Sequence, residues 1–109
     1  MISVALAILL GGQGAAVPPA KLSREGYARC LKDLVRKSTE DKVEPTAFEA
    51  ALAAACRDKE AAFKAAMVSQ EVGLGIKRAE AEKGVLQEIQ DYRAGAKEDF
   101  LAAASTPKS

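Results

Sequence analysis

A chain of 109 residues, 49% hydrophobic and 28% charged, fits one small domain and excludes a two-domain enzyme with a cleft between lobes. Sixteen Lys and Arg against fifteen Asp and Glu leave a net charge of +1, so no global field gathers nucleic acid or an anionic substrate. His, Trp and Asn are absent, which removes the commonest general base and metal ligand together with any N-glycosylation sequon.

Residues 1–20 carry no charged side chain, so every charge lies from Lys21 onward. Residues 2–10 form an apolar run broken only by Ser3, too short for a bilayer span and suited to the hydrophobic region of a signal peptide. Gly14-Ala15-Ala16 places small side chains at −3 and −1 of a cut before Val17, with a cut after Ala20 as the second choice. The reading is a signal peptide over residues 1–20, a helical domain over 21–104 and a disordered tail over 105–109, in a periplasmic or secreted protein. The competing reading is an uncleaved anchor, since 20 uncharged residues match a spanning helix. Gly11, Gly12, Gln13, Gly14, Pro18 and Pro19 oppose it.

Beyond Lys21 the apolar residues follow a helical period and none of the segments alternates as a half-buried strand does, which predicts an all-α fold of three helices. The first opens at Ser23 as N-cap, presents Tyr27, Cys30, Leu31, Leu34 and Val35 on one face, and fades near Ser38. The second opens at Glu44-Pro45-Thr46, with Pro in the first turn and Thr46 and Glu49 spaced as a capping box. Its inward face reads Phe48, Leu52, Cys56, Phe63 and Met67, with a thin place where Arg57-Asp58-Lys59-Glu60 crosses it. Gly73-Leu74-Gly75 marks a turn, because two glycines each cost about 1 kcal/mol in a helix interior; the alternative is one long helix that bends there. The third helix covers residues 76–104 and turns Val85, Ile89, Tyr92, Ala96 and Phe100 inward, with Gly84 and Gly95 making it the least stable of the three.

Alanine dominates and large apolar side chains are few, so the bundle is marginal without an added constraint. Cys30 and Cys56 supply one: both lie on inward faces in the middle of their helices, and an exported chain meets an oxidising compartment. Closing a loop of this size stabilises by about 3.5 kcal/mol in the chain-entropy treatment. A redox-active pair is disfavoured because it sits as C-x-x-C at a helix N-terminus, and a zinc site because two cysteines without His lack ligands. The sequence calls for no cofactor and no metal, and Gly11-Gly12-Gln13-Gly14 lacks the Lys of a phosphate loop. Carboxylates such as Asp58, Glu60, Glu88 and Asp99 lie next to Lys or Arg on faces expected to be solvated, which gives no separated acid and base and no catalytic site.

One charge asymmetry stands out. Residues 21–37 carry Lys21, Arg24, Arg29, Lys32, Arg36 and Lys37 against Glu25 and Asp33, a local +4, while the rest of the chain totals −3. Arg24, Arg29, Lys32, Arg36 and Lys37 are therefore the candidate contacts to an anionic surface, either membrane lipid or an acidic partner. The pairs Glu25–Arg29 and Arg29–Asp33 partly neutralise the ridge, which favours a solvated face over membrane binding.

Tyr27-x-x-Cys30, Phe48-x7-Cys56 and the apolar leader together resemble small exported helical proteins of bacteria that carry a single cysteine pair. The resemblance covers residues 27–70 and implies a periplasmic disulfide-linked hairpin without an activity or site. The expected function is that of a non-enzymatic envelope protein that binds a protein partner, associates with itself or serves structurally, with no nucleic acid; the alternatives are a surface-active protein on anionic membrane and, behind it, a thiol-disulfide enzyme.

If Cys30 meets Cys56, the antiparallel register sets Tyr27 about one turn short of Phe63 and leaves residues 65–72 covered by the third helix alone. A turn at Leu74 then brings Phe48 to Phe100, Leu52 to Ala96, Cys56 to Tyr92 and Phe63 to Val85.

Overall fold

The 3.6-residue period becomes helix wherever the chain is described. The computed structural model describes residues 19–105, in which the regular elements are α1 (Ala20–Glu40), α2 (Pro45–Ala54), α3 (Arg57–Gly73) and α4 (Arg78–Ser105). The proposed leader, up to residue 18, and residues 106–109 of the proposed tail lie outside the described residues.

Among the described residues the helices are four where three were expected, because the second one breaks at Ala55-Cys56. The cause lies in the packing on either side. Phe48 stacks on Phe100, while Phe63 meets Tyr92 edge-on, so the residue numbers of opposed pairs add to 148 before the break and 155 after it. The pairing with α4 thus advances by roughly two turns, which a straight helix cannot follow. The alanines of residues 50–55 offer no large side chain to resist the change. Cys56 consequently becomes the N-cap of α3 rather than a mid-helix residue, with φ −110° and ψ 24°, and its carbonyl accepts the Glu60 N–H at 2.9 Å. Asp58 and Glu60 stand in the first turn of α3, where the helix dipole favours them.

Helix starts differ from the sequence reading in two further places. α1 begins at Ala20 with Pro19 as N-cap, and Ser23 is an interior residue whose N–H is bonded to the Pro19 carbonyl at 3.1 Å. Arg24, already inside the expected helix, reaches Met67, Nη2 to Sδ 3.3 Å, so α1 covers part of the α3 segment that was expected to meet α4 alone. At α2 the N-cap is Glu44 with Pro45 at N1, and no side-chain capping bond forms. Glu49 pairs instead with Lys97 of α4, a partner across the bundle that outcompetes the local box.

The turn between α1 and α2 closes through Val43 N–H to Ser38 carbonyl at 3.0 Å, with Lys42 at φ 56°. Between α3 and α4, Gly75 adopts φ 96°, a left-handed conformation that glycine accepts without steric cost, and Ile76 N–H returns to the Glu71 carbonyl at 3.0 Å. Gly73-Leu74-Gly75 is thus a reversal of the chain and not a bend in one long helix.

α1 runs antiparallel to α3 and parallel to α4, with α2 continuing the α3 layer at the other end. The core collects Tyr27, Leu31, Phe48, Leu52, Cys56, Phe63, Met67, Val85, Ile89, Ala96 and Phe100, all buried. Tyr92, Cys30, Leu34 and Val35 are partly buried against it. Cys30 and Cys56 form a disulfide with Cα atoms 5.9 Å apart.

Candidate functional site: the groove between the first and last helices

α1 and α4 share a seam whose two ends differ. At the end nearer the N-terminus of α1 it is closed. Arg24 forms an ion pair with Glu88, sixty-four residues on, and lies 5.3 Å over the Phe63 ring. The Tyr92 hydroxyl, and then Glu88, raise the Arg24 guanidinium above its ordinary range in spite of partial desolvation. Tyr27, Phe63 and Tyr92 contact one another, with ring centroids 5.6 to 5.8 Å apart.

Next to this cluster Glu60 ties three helices together. It accepts from the Tyr27 hydroxyl at 2.8 Å and from two Arg93 nitrogens, Nε at 3.0 Å and Nη2 at 2.8 Å. Burial, reinforced by the Glu60 carboxylate, pushes the Tyr27 phenol well above the ordinary tyrosine range. Glu60 and Glu88 are therefore not on solvated faces as the sequence suggested; each is drawn into an interhelical contact by an arginine that sequence spacing does not reveal.

Towards the C-terminal end of α1 the seam opens into a groove of about 490 Å³. Its floor is apolar: Leu31 and Val35 on α1 face Tyr92, Gly95 and Ala96 on α4. The Thr39 hydroxyl, further along, donates to the Val35 carbonyl at 2.7 Å and so is already satisfied. Past Thr39 and Ala103 the groove continues into a second hollow of about 310 Å³ beside Val43 and Phe100. Lys32, Arg36 and Glu40 stand on the α1 rim, Asp91 and Asp99 on the α4 rim, and all five are exposed. Among the described residues no ion pair crosses this groove; the α1–α4 pair Arg24–Glu88 lies beyond its closed end.

The five cations singled out in the sequence do not act as one ridge. Arg24 is turned into the seam. Lys37 lies about 100° round the helix from Arg36 and pairs with Asp41 at 3.2 Å. Arg36 meets Asp33 at 3.4 Å and Glu40 at 3.8 Å. The expected pairs of Arg29 with Glu25 and Asp33 do not form, because Glu25 meets Lys21 and Asp33 meets Arg36. Lys32 and Arg36 flank the groove, and Arg29 is exposed one turn away.

At the other face of α1 a hollow of about 450 Å³ lies beside the disulfide, bounded by Arg57, Asp58 and Lys59. Among the described residues no group of three or more Cys, Asp or Glu is placed to hold a metal ion, and no helix is long and apolar enough to cross a membrane. No protein family, curated protein or solved structure matches this chain.

Proposed function

We propose that this chain is exported, is cut after Ala16, and serves as a non-enzymatic protein-interaction module of the bacterial envelope. The observation that carries the reading is the apolar groove between α1 and α4, since clefts between the helices of a bundle are where such folds take their ligands. The disulfide agrees with an oxidising compartment. A cut after Ala16 is favoured over one after Ala20, because Pro19 and Ala20 form the start of α1 and Ala20 is buried. Attachment of α1 to anionic lipid has less support, since Arg24 and Lys37 are committed to Glu88 and Asp41.

Two measurements test this. Cell fractionation followed by intact-mass analysis is expected to give a periplasmic product that begins at Val17 and takes up no alkylating reagent before reduction; a cytosolic, full-length, alkylated product overturns export. A photo-crosslinking residue at Ala103, at the open end of the groove where it leaves the floor clear, is expected to yield a protein adduct in the native envelope, whereas one at Leu86, an exposed residue away from the groove, is not. Adducts from Leu86 alone, or from neither position, overturn the groove as the docking surface.

A further inference from the structure

The rims of the groove carry opposite charges that, among the described residues, do not meet across it. Among the described residues α1 and α4 share one ion pair, between Arg24 and Glu88. Below that pair the same polarity continues with Lys32 and Arg36 on α1 and Asp91 and Asp99 on α4, up to Glu40 at the far end of the α1 rim, which pairs with Arg36; none of these charges meets its opposite across the apolar floor. With the register set by Arg24 and Glu88, Asp99 falls at a level between Lys32 and Arg36. Lys32 and Asp99 have no ion-pair partner among the described residues, and Arg36 shares Asp33 and Glu40 only at exposed, longer contacts.

We infer that the groove binds an amphipathic α-helix of a partner protein, whose apolar stripe is flanked by acidic residues on the edge facing α1 and by basic residues on the edge facing α4. This rests on the groove being the docking surface. Three observations select a helix. Residues 28–39 of α1 span about 16 Å, three turns, so the groove matches a three-turn apolar stripe. The rim charges are spaced at i, i+4 on α1 and i, i+8 on α4, the intervals at which the flanking residues of a bound helix recur. The carboxylates of Asp91 and Asp99 repel the head group of an anionic lipid laid in the same groove. A second copy of this chain would oppose groove to groove, concave against concave, and leave the floor uncovered.

The charge pattern also sets direction. Reversing a helix in the groove exchanges the flank that faces α1, so a partner with one acidic and one basic flank satisfies both rims in only one of the two directions.

Synthetic 18-residue helical peptides with one leucine stripe test the inference: one with Glu on one flank and Lys on the other, one with Glu on both, one with Lys on both. The mixed peptide is expected to bind the disulfide-bonded protein about tenfold more tightly than either uniform peptide at low salt, with the advantage shrinking at high salt. A spin label on its N-terminus is expected to broaden resonances at one end of the groove only. In Lys32→Glu/Arg36→Glu, where both rims are acidic, the preference is expected to move to the Lys-flanked peptide. Gly95→Leu fills the floor from a position where an added Cβ meets nothing within 4 Å, and is expected to abolish binding of all three peptides while circular dichroism stays helical.

Equal binding of all three peptides, unmoved by the charge reversal, overturns the charge assignment and leaves the docking surface standing. Binding of none of them, with a small apolar dye taken up instead, overturns a helical partner. A concentration-dependent dimer blocked by Gly95→Leu makes a second copy the occupant and overturns the inference as well.

Discussion

Phe48 of α2 stacks on Phe100 of α4 with ring centroids 4.2 Å apart and planes 9° from parallel, and this pair fastens the shortest helix to the longest. α2 has few other anchors: Leu52 beneath it, the Glu49–Lys97 ion pair beside it, and the disulfide just past its end. Removing one ring leaves a cavity in a small core. Phe48→Ala is expected to destabilise by about 3 kcal/mol in urea unfolding. In a double-mutant cycle with Phe100→Ala, the two losses are expected to fall short of additivity by about 1 kcal/mol. Simple additivity would show that the rings act only through burial.

The Phe48–Phe100 contact was expected from helix period and the position of the glycine turn, but the fold reaches it through the change of register at Ala55-Cys56, which sets Phe63 against Tyr92 instead of Val85. The Cys30–Cys56 bridge was readable because helical period puts both cysteines on inward faces of neighbouring helices. The break at Ala55-Cys56 was not, since neither residue is a favoured N-cap and nothing local announces a change of register that arises from α4. Arg24 illustrates a further limit. Helical spacing placed it among solvent-facing cations, but its partners Glu88, Tyr92 and Met67 are brought to it only by the assembled bundle. The groove, likewise, is a property of how far α1 and α4 diverge, while its rim charges Lys32 and Arg36 were already visible as part of a basic segment.

The disulfide joins α1 to the junction between α2 and α3, so its loss acts on a specific part of the fold. Its cysteines are 26 residues apart, and the chain-entropy treatment assigns about 3.5 kcal/mol to such a link. A Cys30→Ala/Cys56→Ala variant is expected to lose about that much by denaturant titration. Amide exchange is expected to rise first in α2, whose remaining anchors are few. Uniform acceleration across all four helices would indicate that α2 is not a separate opening unit.

Tyr27 gives the bundle an alkaline limit. Its phenol is raised above the ordinary value of about 10 by burial and by Glu60, so the folded state holds the proton that the unfolded chain releases. The stabilisation is complete below the unfolded pKa and is lost as pH climbs beyond it. Unfolding free energy is therefore expected to fall above about pH 10, and the phenolate absorbance of Tyr27 is expected to appear only with unfolding. Tyr27→Phe is expected to flatten that limb while costing about 1 kcal/mol at neutral pH for the lost hydrogen bond to Glu60. An unchanged alkaline limb in the variant would place the transition elsewhere.

α4 spans 28 residues and carries Gly84 and Gly95 in its interior, where each glycine costs about 1 kcal/mol relative to alanine. Close packing does not require either one: a Cβ built at Gly84 or at Gly95 meets nothing within 4 Å. Gly84→Ala and Gly95→Ala are therefore each expected to stabilise by about 0.8 kcal/mol, chiefly by reducing the freedom of the unfolded chain. The positions are separated by about 16 Å along the helix and share no neighbours, so the gains are expected to add. For a domain this small each kcal/mol raises Tm by about 4–8 °C, which makes the double variant easy to read by calorimetry. The two substitutions differ in one respect, because Gly95 lies on the groove floor and Gly84 does not. Gly84→Ala is expected to leave binding of the mixed-flank peptide unchanged, whereas Gly95→Ala, which lets a methyl group project into the floor, is expected to weaken it two- to fivefold while stabilising the fold. Stability and binding would then move in opposite directions at Gly95 alone, and equal effects of the two substitutions on binding would remove Gly95 from the docking surface.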